Sequence, residues 1–455
     1  MGEYIRLLLQ NKQQLLITVC IYFGPLLYGY ALGWSAPILM KLEDRERTPL
    51  SHDVSDTLIG FVPTALFIGQ FFGPFMIINL SNSKGRKPCL LLSTAAMCIA
   101  YILLTSATHI TTIIIGRIIC GLGTSMANVL SSVYIGEIAS TNIRGILLNG
   151  SGLFLTFGCL LVYSVGPFVP YYAVSLLGLV ISLAQFVCIY YFVPESPIFH
   201  AMNGMEKEAA DTLEKLNRRE DIDLFLTRAK EQAKLDSHLK ELFSVKCNRR
   251  AFFITTPLGV LLQLSGVIVV TFYATTIFDI AGSSIEPHIA TILIGLTQFL
   301  SSAICPTFVE LGGRKVLMMV STSICSVSLA AFGVFFYLSW ISHPVVDSIR
   351  WLPLLSLIVF FIGLDTGFGI IPMTLPGEMF SPSVRTIGTI IGFQTAIAFG
   401  LLLSAIFPYM LYDMGAHYTF WIFSFVCAFS CFYTAMFVPE TKGKSLFEIQ
   451  EILSR

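Results

Sequence analysis

Charged side chains of both signs recur in the same order in the two halves of this chain, where they could form ion pairs. Each half has a Gly-Arg-Lys sequence, then a Glu followed seven residues later by an Arg, and then a Pro-Glu sequence. The residues are Arg86, Glu137, Arg144 and Glu195 in the first half, and Glu310, Arg314, Glu378, Arg385 and Glu440 in the second. Pairs of this kind can close one state of a molecule and break in another. We therefore predict a conformational gate in which a Glu of one half pairs with an Arg of the other.

The composition around these residues is that of a membrane protein. The chain has 455 residues, of which 55% are hydrophobic and 12% charged, and its mean hydropathy is +0.76. Soluble domains carry about 25% charged residues, so this chain could not cover a water-facing surface. Its formal net charge is zero, which gives no indication of nucleic acid as a partner. We expect an all-α membrane protein whose surroundings are lipid.

The elements that must position the charged residues are membrane-spanning helices. A span needs about 20 apolar residues, and twelve segments meet that requirement. Six lie in each half, which predicts two six-helix bundles. The predicted spans are Leu15–Pro37, Leu58–Leu80, Cys89–Ala107, Thr111–Tyr134, Gly145–Val165, Tyr171–Val193, Ala251–Ala281, Pro287–Val309, Val316–Ser339, Leu352–Pro376, Ser383–Leu411 and His417–Val438.

One polar segment divides the chain. We predict a first bundle over 1–194, a linker with short amphipathic helices over 195–250, a second bundle over 251–438 and a tail over 439–455. With both termini in the cytoplasm, most Lys and Arg residues lie on the inner side, as the positive-inside rule requires. The repeat of charged sequences in two apolar halves is typical of transporters built by internal duplication.

The charged sequences, taken together and in order, resemble those of the sugar porter family of the major facilitator superfamily, and most closely its insect trehalose and hexose facilitators. The resemblance extends over nearly the whole chain. It rests on Gly85-Arg86-Lys87, Gly116-Arg117, Tyr134-Ile-Gly-Glu137, Arg144-Gly145, Pro194-Glu195-Ser196-Pro197, Gln263-Leu-Ser-Gly266, Gly313-Arg314-Lys315, Glu378-Met-Phe and Pro439-Glu440-Thr441-Lys442-Gly443-Lys444.

The resemblance implies alternating access to a sugar bound between the halves. In this chain, however, most of the side chains with which the family binds the sugar are replaced. Amide and aromatic side chains suit sugar hydroxyls and the apolar ring face. Gln263 matches the family pattern, whereas Met373 stands where the family has Trp. We predict a substrate site that includes Gln263, Gln298, Tyr273, Met373 and Asp365. Other family positions are replaced by Gly152, Leu262, Ile268, Ala396 and Ile397.

Two residues bear on energy coupling. The family's proton-linked members have an Asp on the first helix opposite the Arg of the fourth, and here that position is Ala31, opposite Arg117. This favours diffusion down the substrate gradient alone. Asp365, near the middle of the tenth span, is either a proton, cation or substrate site, or a protonated carboxyl bonded to a neighbouring helix.

These observations favour a sugar transporter of the plasma membrane, carrying trehalose or a monosaccharide without a cofactor. Two alternatives remain: a transporter of the same fold for another small solute, with proton coupling through Asp365, or a sugar sensor that does not transport. We predict that the chain is not an enzyme, because its sequence contains no nucleophile-base set, phosphate loop or metal cluster.

Overall fold

The computed structural model describes residues 11–52, 54–140, 142–216, 218, 222, 225–226, 239–381, 383–444 and 446–454. Within these residues the protein is helical, and twelve helical segments are long and apolar enough to cross a membrane. This confirms the predicted fold class. The backbone of a membrane span must satisfy its polar groups internally, which is why long helices are the form these apolar runs take.

Among the described residues, the first half contains six long helices and three short ones. The chain order is α1 (Lys12–Gly33), α2 (Ser35–Glu43), α3 (Asp56–Lys84), α4 (Arg86–Thr105), α5 (Ile110–Ile138), α6 (Arg144–Val165), α7 (Tyr171–Phe192), α8 (Pro197–Met202) and α9 (Glu206–Lys215). Helices α1 and α2 together form the first span. A short 3₁₀ turn, Gly166–Phe168, follows α6.

The second half repeats this organisation with more interruptions. The helices are α10 (Leu239–Ser244), α11 (Lys246–Leu264), α12 (Val267–Ala281), α13 (Pro287–Leu311), α14 (Arg314–Trp340), α15 (Leu352–Gly363), α16 (Ile371–Met379), α17 (Arg385–Tyr409), α18 (Ala416–Phe437) and α19 (Leu446–Ser454). A 3₁₀ turn covers Pro344–Ser348, and π-helical turns cover Leu364–Phe368 and Met410–Met414.

The helices form two compact units. The first unit comprises Met1–Trp34, Asp44–Val54 and Ala65–Asp236, and the second comprises Ser35–Glu43, Ser55–Thr64 and Ser237–Arg455. In the first unit, glycines allow helices to approach closely. A Cβ atom on Gly29 of α1 would lie 1.8 Å from the Leu155 carbonyl oxygen of α6, and one on Gly121 would lie 2.0 Å from the Leu66 carbonyl oxygen. Small residues at such crossings are typical of packed membrane helices.

The seventh span is not the continuous helix predicted over Ala251–Ala281. It begins earlier, at Lys246, and breaks after Leu264 into α11 and α12. Gly266 at the break has φ of +88°, a conformation that glycine adopts without steric penalty. A Cβ atom there would also lie 2.5 Å from the Phe423 ring.

The tenth span is interrupted before Pro372, where the π-helical turn Leu364–Phe368 separates α15 from α16. Ser321 of α14 stabilises this turn with its side chain. The Ser321 hydroxyl donates to the Gly363 carbonyl at 2.6 Å and accepts from the Phe368 N–H at 2.7 Å. A neighbouring serine thus satisfies backbone groups that the irregular turn would otherwise leave unpaired.

Two short helices, α8 and α9, follow α7. Helix α9 buries Ala209 and Leu213 on one face. Beyond it, Arg218 donates to the carbonyls of Ile138 and Ala139 at 3.0 and 3.1 Å, where α5 ends. Leu224 and most of 217–238 lie outside the described residues.

Candidate functional site

An almost fully buried ion pair joins α4 and α5 in the first unit. Arg86 donates from Nε and Nη2 to Oε1 of Glu137, at 3.2 and 3.1 Å, and from Nη1 to the Ser81 carbonyl at 2.9 Å. The two side chains are only 2% and 8% exposed. Since a buried charge is unfavourable without a partner, these hydrogen bonds stabilise both side chains at the helix ends.

Glu195 binds the beginning of α4 with its carboxylate. Its Oε1 atom accepts from the backbone N–H groups of Arg86 at 2.8 Å and Ser196 at 2.8 Å, and its Oε2 accepts from Lys87 at 3.2 Å. The first N–H groups of a helix have no partner within the helix and carry positive partial charge, so a carboxylate is favoured there. Ser196 in turn donates its hydroxyl hydrogen to Oε2 of Glu137. We call Arg86, Glu137, Glu195 and Ser196 the first framework.

The second unit contains the same arrangement. Arg314 donates from Nε and Nη2 to Oε1 of Glu378, both at 3.3 Å. Glu440 accepts from the backbone N–H groups of Arg314 at 2.8 Å and Lys315 at 3.2 Å, where α14 begins. Thr441 donates to Oε2 of Glu378 at 2.5 Å. We call Arg314, Glu378, Glu440 and Thr441 the second framework.

The glycine before each of these helices leaves room for the carboxylate. A Cβ atom on Gly85 would lie 2.3 Å from Oε2 of Glu195, and one on Gly313 would lie 2.5 Å from Oε2 of Glu440. Gly85 also has φ of +102°, which favours glycine for conformational reasons. In each Gly-Arg-Lys sequence the glycine therefore leaves space for a carboxylate at the start of the helix. The arginine that follows it pairs with a glutamate of another helix.

Glu440 lies just beyond the last span, and its environment favours the charged carboxylate. Burial alone would raise its pKa, but the N–H donors of Lys442, Arg314 and Lys315 outweigh that effect and hold the pKa below its usual value. The carboxylate is therefore ionised at neutral pH and acts only as an acceptor toward the start of α14.

The predicted pairing across the halves is corrected at these residues. Glu137 and Glu378 each bond to an arginine of their own half. Packing of α4 on α5 brings Arg86 to Glu137, and Arg314 at the start of α14 meets Glu378 near the end of α16. Arg144 and Arg385 instead donate to carbonyls at the end of the preceding helix, those of Ala139 at 3.3 Å and Phe380 at 3.5 Å. The side chain of Glu310 lies outside the described part of the chain.

The frameworks differ in how far water is excluded. The side chains of Arg314 and Glu378 are 22% and 28% exposed, compared with 2% and 8% for Arg86 and Glu137. An ion pair is weakened by contact with water, because the higher dielectric reduces its attraction. Removal of the arginine is therefore more damaging in the first framework, where it leaves a buried carboxylate unpaired.

The residues predicted to bind substrate all lie in the second unit but have different surroundings. Gln263 is buried near the end of α11, two residues before the break at Ser265. Gln298 is buried on α13. Met373 is 44% exposed and lines a cavity of about 40 Å³ together with Thr256 and Ala396. A cavity of this size holds water rather than a sugar.

Tyr273, predicted to bind substrate, makes a structural contact. Its hydroxyl donates to the Gly60 carbonyl at 3.0 Å, and its ring lies 4.9 Å from that of Phe407. Nearby in the same unit, the hydroxyls of Thr64 and Ser404 are 3.1 Å apart. These contacts join the start of α3 to α12 and α17 within the second unit.

Asp365 lies in the π-helical turn and bonds to a neighbouring helix. Ser301 of α13 donates its hydroxyl hydrogen to Oδ2 of Asp365. The same hydroxyl lies 3.2 Å from the backbone carbonyl of Gln298, which is one helical turn earlier on α13. The structure thus brings Asp365 and the backbone of Gln298 to the same serine.

Arg117 forms a hydrogen bond with the backbone carbonyl of Ala31, the residue that replaces the family's aspartate. Its Nη1 atom donates to the Ala31 carbonyl at 2.8 Å, and its guanidinium carbon is 4.9 Å from the centre of the Trp34 ring. A carbonyl dipole and an aromatic face both favour a cation at this position.

Three hydroxyl residues were missed by the sequence interpretation. Ser196 and Thr441 follow Glu195 and Glu440 directly, so the Pro-Glu-Ser and Pro-Glu-Thr sequences could have indicated a hydroxyl in each framework. Ser321 lies in an apolar helix among several other serines, and nothing in the sequence distinguishes it.

We predict that Arg86→Ala lowers the melting temperature of the purified protein more than Arg314→Ala does. Removing one partner of a buried pair costs about 3–5 kcal/mol, and the partly hydrated second pair loses less. Thermal unfolding in detergent measures both, with Arg350→Ala as a control, since Arg350 pairs with Asp347 at the exposed surface. Adding Glu137→Gln to Arg86→Ala is expected to restore part of the loss. Equal losses for Arg86→Ala and Arg314→Ala would contradict the assignment.

Comparison with known proteins agrees with this geometry. The model of the Sugar (and other) transporter family matches residues 17–453. The chain is similar to the facilitated trehalose transporter Tret1 of Culex quinquefasciatus, with 28% identity over 449 residues, covering 96% of this chain and 85% of the relative. It is 28% identical to the Tret1 of Anopheles gambiae over 449 residues and spans about half of that longer protein, 55%.

A solved structure has the same fold. The chain resembles the xylose transporter XylE from E. coli in an inward open conformation, with a TM-score of 0.79 and 22% identity, covering 96% of this chain and 99% of the other. At that identity the likeness concerns the fold, which is that of the major facilitator superfamily. Because the family model matches nearly the whole chain, and the charged motifs resemble those of sugar porters, this protein belongs to the Sugar (and other) transporter family.

Proposed function

We propose that this protein carries trehalose or a monosaccharide across the plasma membrane by facilitated diffusion, through alternating access. The observation that carries the proposal is the charged framework, formed once in each unit from matching residues. A transporter in which one half moves against the other needs helix ends that move together within each half. The trehalose transporters among the relatives support sugar as the substrate class.

Diffusion without proton coupling is supported by the surroundings of Arg117. Position 31 is alanine, and the arginine donates to its backbone carbonyl, where proton-linked sugar porters have a carboxylate. A carbonyl cannot take up a proton at physiological pH. The hydrogen bond from Arg117 to this acceptor therefore does not depend on proton uptake.

Asp365 is the residue on which the alternative depends. Its hydrogen bond to Ser301 supports a structural role, in which the carboxyl joins α13 to the π-helical turn. The second reading, a proton or solute site, is favoured by the position of a carboxyl within a membrane span. In addition, Asp365 lies in a π-helical turn, and such turns are frequent at functional sites in proteins.

Eight of the nine charged residues named above, all except Glu310, act in gating by holding helix ends together within each half. In each framework one carboxylate joins an arginine to a hydroxyl, and the other binds the start of the helix that carries that arginine. Arg144 and Arg385 add a hydrogen bond between consecutive helices. We assign both termini to the cytoplasm from the positive-inside pattern, which places the frameworks at the inner ends of the helices.

A different small solute is the second candidate, because the surroundings of Met373 are depleted of polar groups. Pro372, Met373 and Ala396 line the 40 Å³ cavity, and the Thr256 hydroxyl is buried there without a hydrogen-bond partner among the described atoms. Such a lining offers few donors and acceptors for sugar hydroxyls. A sugar sensor is the third candidate, and uptake measurements distinguish it from both transporters.

We predict saturable uptake of labelled trehalose or glucose into proteoliposomes, at the same initial rate at two external pH values. Asp365→Asn is expected to leave uptake and its pH response unchanged, with Asp347→Asn, an exposed carboxylate, as the matched control. Uptake that rises at low pH, and loses that rise in Asp365→Asn, would instead establish coupling to protons. If correctly inserted protein transports neither sugar, the proposal of a sugar facilitator is overturned.

We predict that Arg144→Ala and Arg385→Ala each slow uptake about tenfold, because each removes one charge-assisted hydrogen bond between helices. Surface expression and melting temperature establish that the variants insert and fold. Arg350→Ala is the control for the loss of an arginine outside the frameworks. Uptake at the wild-type rate in both variants would remove the gating role from these residues.

A further inference from the structure

A large open crevice lies in the first unit, where α1 begins and α7 ends. Its volume is about 650 Å³, within the range of small-molecule sites in proteins. Most of its lining is apolar and comes from the two helices and the residues after α7. The apolar lining includes Leu16, Ile17, Tyr191, Phe192, Val193 and Pro194.

Two lysines and one amide supply the polar part of the lining. Lys87 comes from the first turn of α4, Lys215 from the end of α9, and Gln13 from the start of α1. The Lys87 ammonium donates to the Tyr190 carbonyl at 3.0 Å, which leaves two of its three N–H donors for another acceptor. Among the described residues, neither ammonium pairs with an acidic side chain. The crevice is therefore lined by two ammonium groups, neither of which forms an ion pair with a described acidic side chain.

The aromatic residues at the end of α7 indicate the depth of the crevice in the membrane. Tyr190, Tyr191 and Phe192 are all more than half exposed, and Leu16 on α1 is 66% exposed. Exposed aromatic residues at the end of a span mark the boundary between hydrocarbon and headgroups. The crevice thus opens at this boundary, with apolar walls and ammonium groups within one site.

We propose that this crevice binds a membrane phospholipid with an anionic headgroup. In this proposal the phosphate lies between Lys87 and Lys215. The part of the acyl chain nearest the headgroup packs on Leu16, Tyr191 and Phe192. A zwitterionic lipid would pack on the same apolar wall, but the positively charged group of its headgroup would be brought toward the two lysines. A sugar would leave the apolar wall without a partner, and it needs more donors and acceptors than the crevice offers. The positive-inside pattern assigns this end to the cytoplasmic leaflet, where anionic lipids are enriched.

Binding at this site also reaches the first framework. Lys87 follows Arg86 directly, and Pro194 in the lining precedes Glu195. A lipid held between Lys87, α1 and α7 therefore contacts the helix end that Glu195 binds. Its occupancy is expected to stabilise that end of the first unit.

The test is native mass spectrometry of the delipidated full-length protein, titrated with phosphatidylglycerol or with phosphatidylcholine of the same acyl chains. We expect one phosphatidylglycerol to bind more tightly than phosphatidylcholine. Lys87→Gln and Lys215→Gln should each raise the Kd about fivefold, and the double variant about thirtyfold, as expected for two lysines beside an anionic headgroup. Lys207→Gln is the matched control, because Lys207 is exposed on the same helix as Lys215 but does not line the crevice.

Charge-conserving variants separate binding from folding. Lys87→Arg and Lys215→Arg should keep phosphatidylglycerol binding near the wild-type value, and melting temperatures identify any variant that is misfolded. Equal affinity for the two lipids, or phosphatidylglycerol binding that is unchanged in the double variant, would overturn the proposal. Complete displacement by soluble glycerol phosphate would also overturn it, since the site would then recognise a free phosphate rather than a lipid.

Discussion

A carboxylate placed at the positive end of a helix, next to a buried arginine, is the interaction on which the organisation of each half depends. Glu195 and Glu440 satisfy backbone N–H groups that no helix can satisfy by itself, while Glu137 and Glu378 neutralise Arg86 and Arg314. In a chain with 12% charged residues, these groups would be unfavourable in any arrangement that separated them. Each framework therefore fixes which three helix ends lie together.

The two frameworks have the same connections but differ in their exposure to water. The pair in the first unit is almost completely buried, and the second is partly hydrated. Since hydration weakens an ion pair and lowers the penalty for breaking it, the helix ends of the second unit are held less firmly. The second unit also contains the irregular elements: the break at Gly266 and the π-helical turn that Ser321 stabilises. The more exposed ion pair and these two irregular elements thus occur in the same unit.

Much of the architecture could be predicted from the sequence, because hydropathy identifies spans and the charged motifs mark their ends. The partners of the charged residues could not be predicted in this way, because the spacing of motifs does not reveal which helix ends are adjacent in space. Glu137 was expected to pair across the halves, and packing of α4 on α5 brings it to Arg86 instead. Tyr273 illustrates the same difficulty: the sequence marked it as a residue that could bind a sugar, but could not show that its hydroxyl donates to the Gly60 carbonyl. Backbone partners leave no trace in side-chain patterns.

A pair of double-mutant cycles that tests Arg86 against Glu137 and against Glu378 addresses the central claim most directly. Melting temperatures and unfolding free energies are measured for Arg86→Ala, Glu137→Gln and Glu378→Gln, and for the doubles that combine Arg86→Ala with each. Residues in one network have coupling energies of about 0.5–3 kcal/mol, and independent sites add to within about 0.5 kcal/mol. We predict coupling above about 1 kcal/mol for Arg86 with Glu137, and additivity for Arg86 with Glu378. Strong coupling of Arg86 to Glu378, together with additivity toward Glu137, would contradict a framework confined to one half.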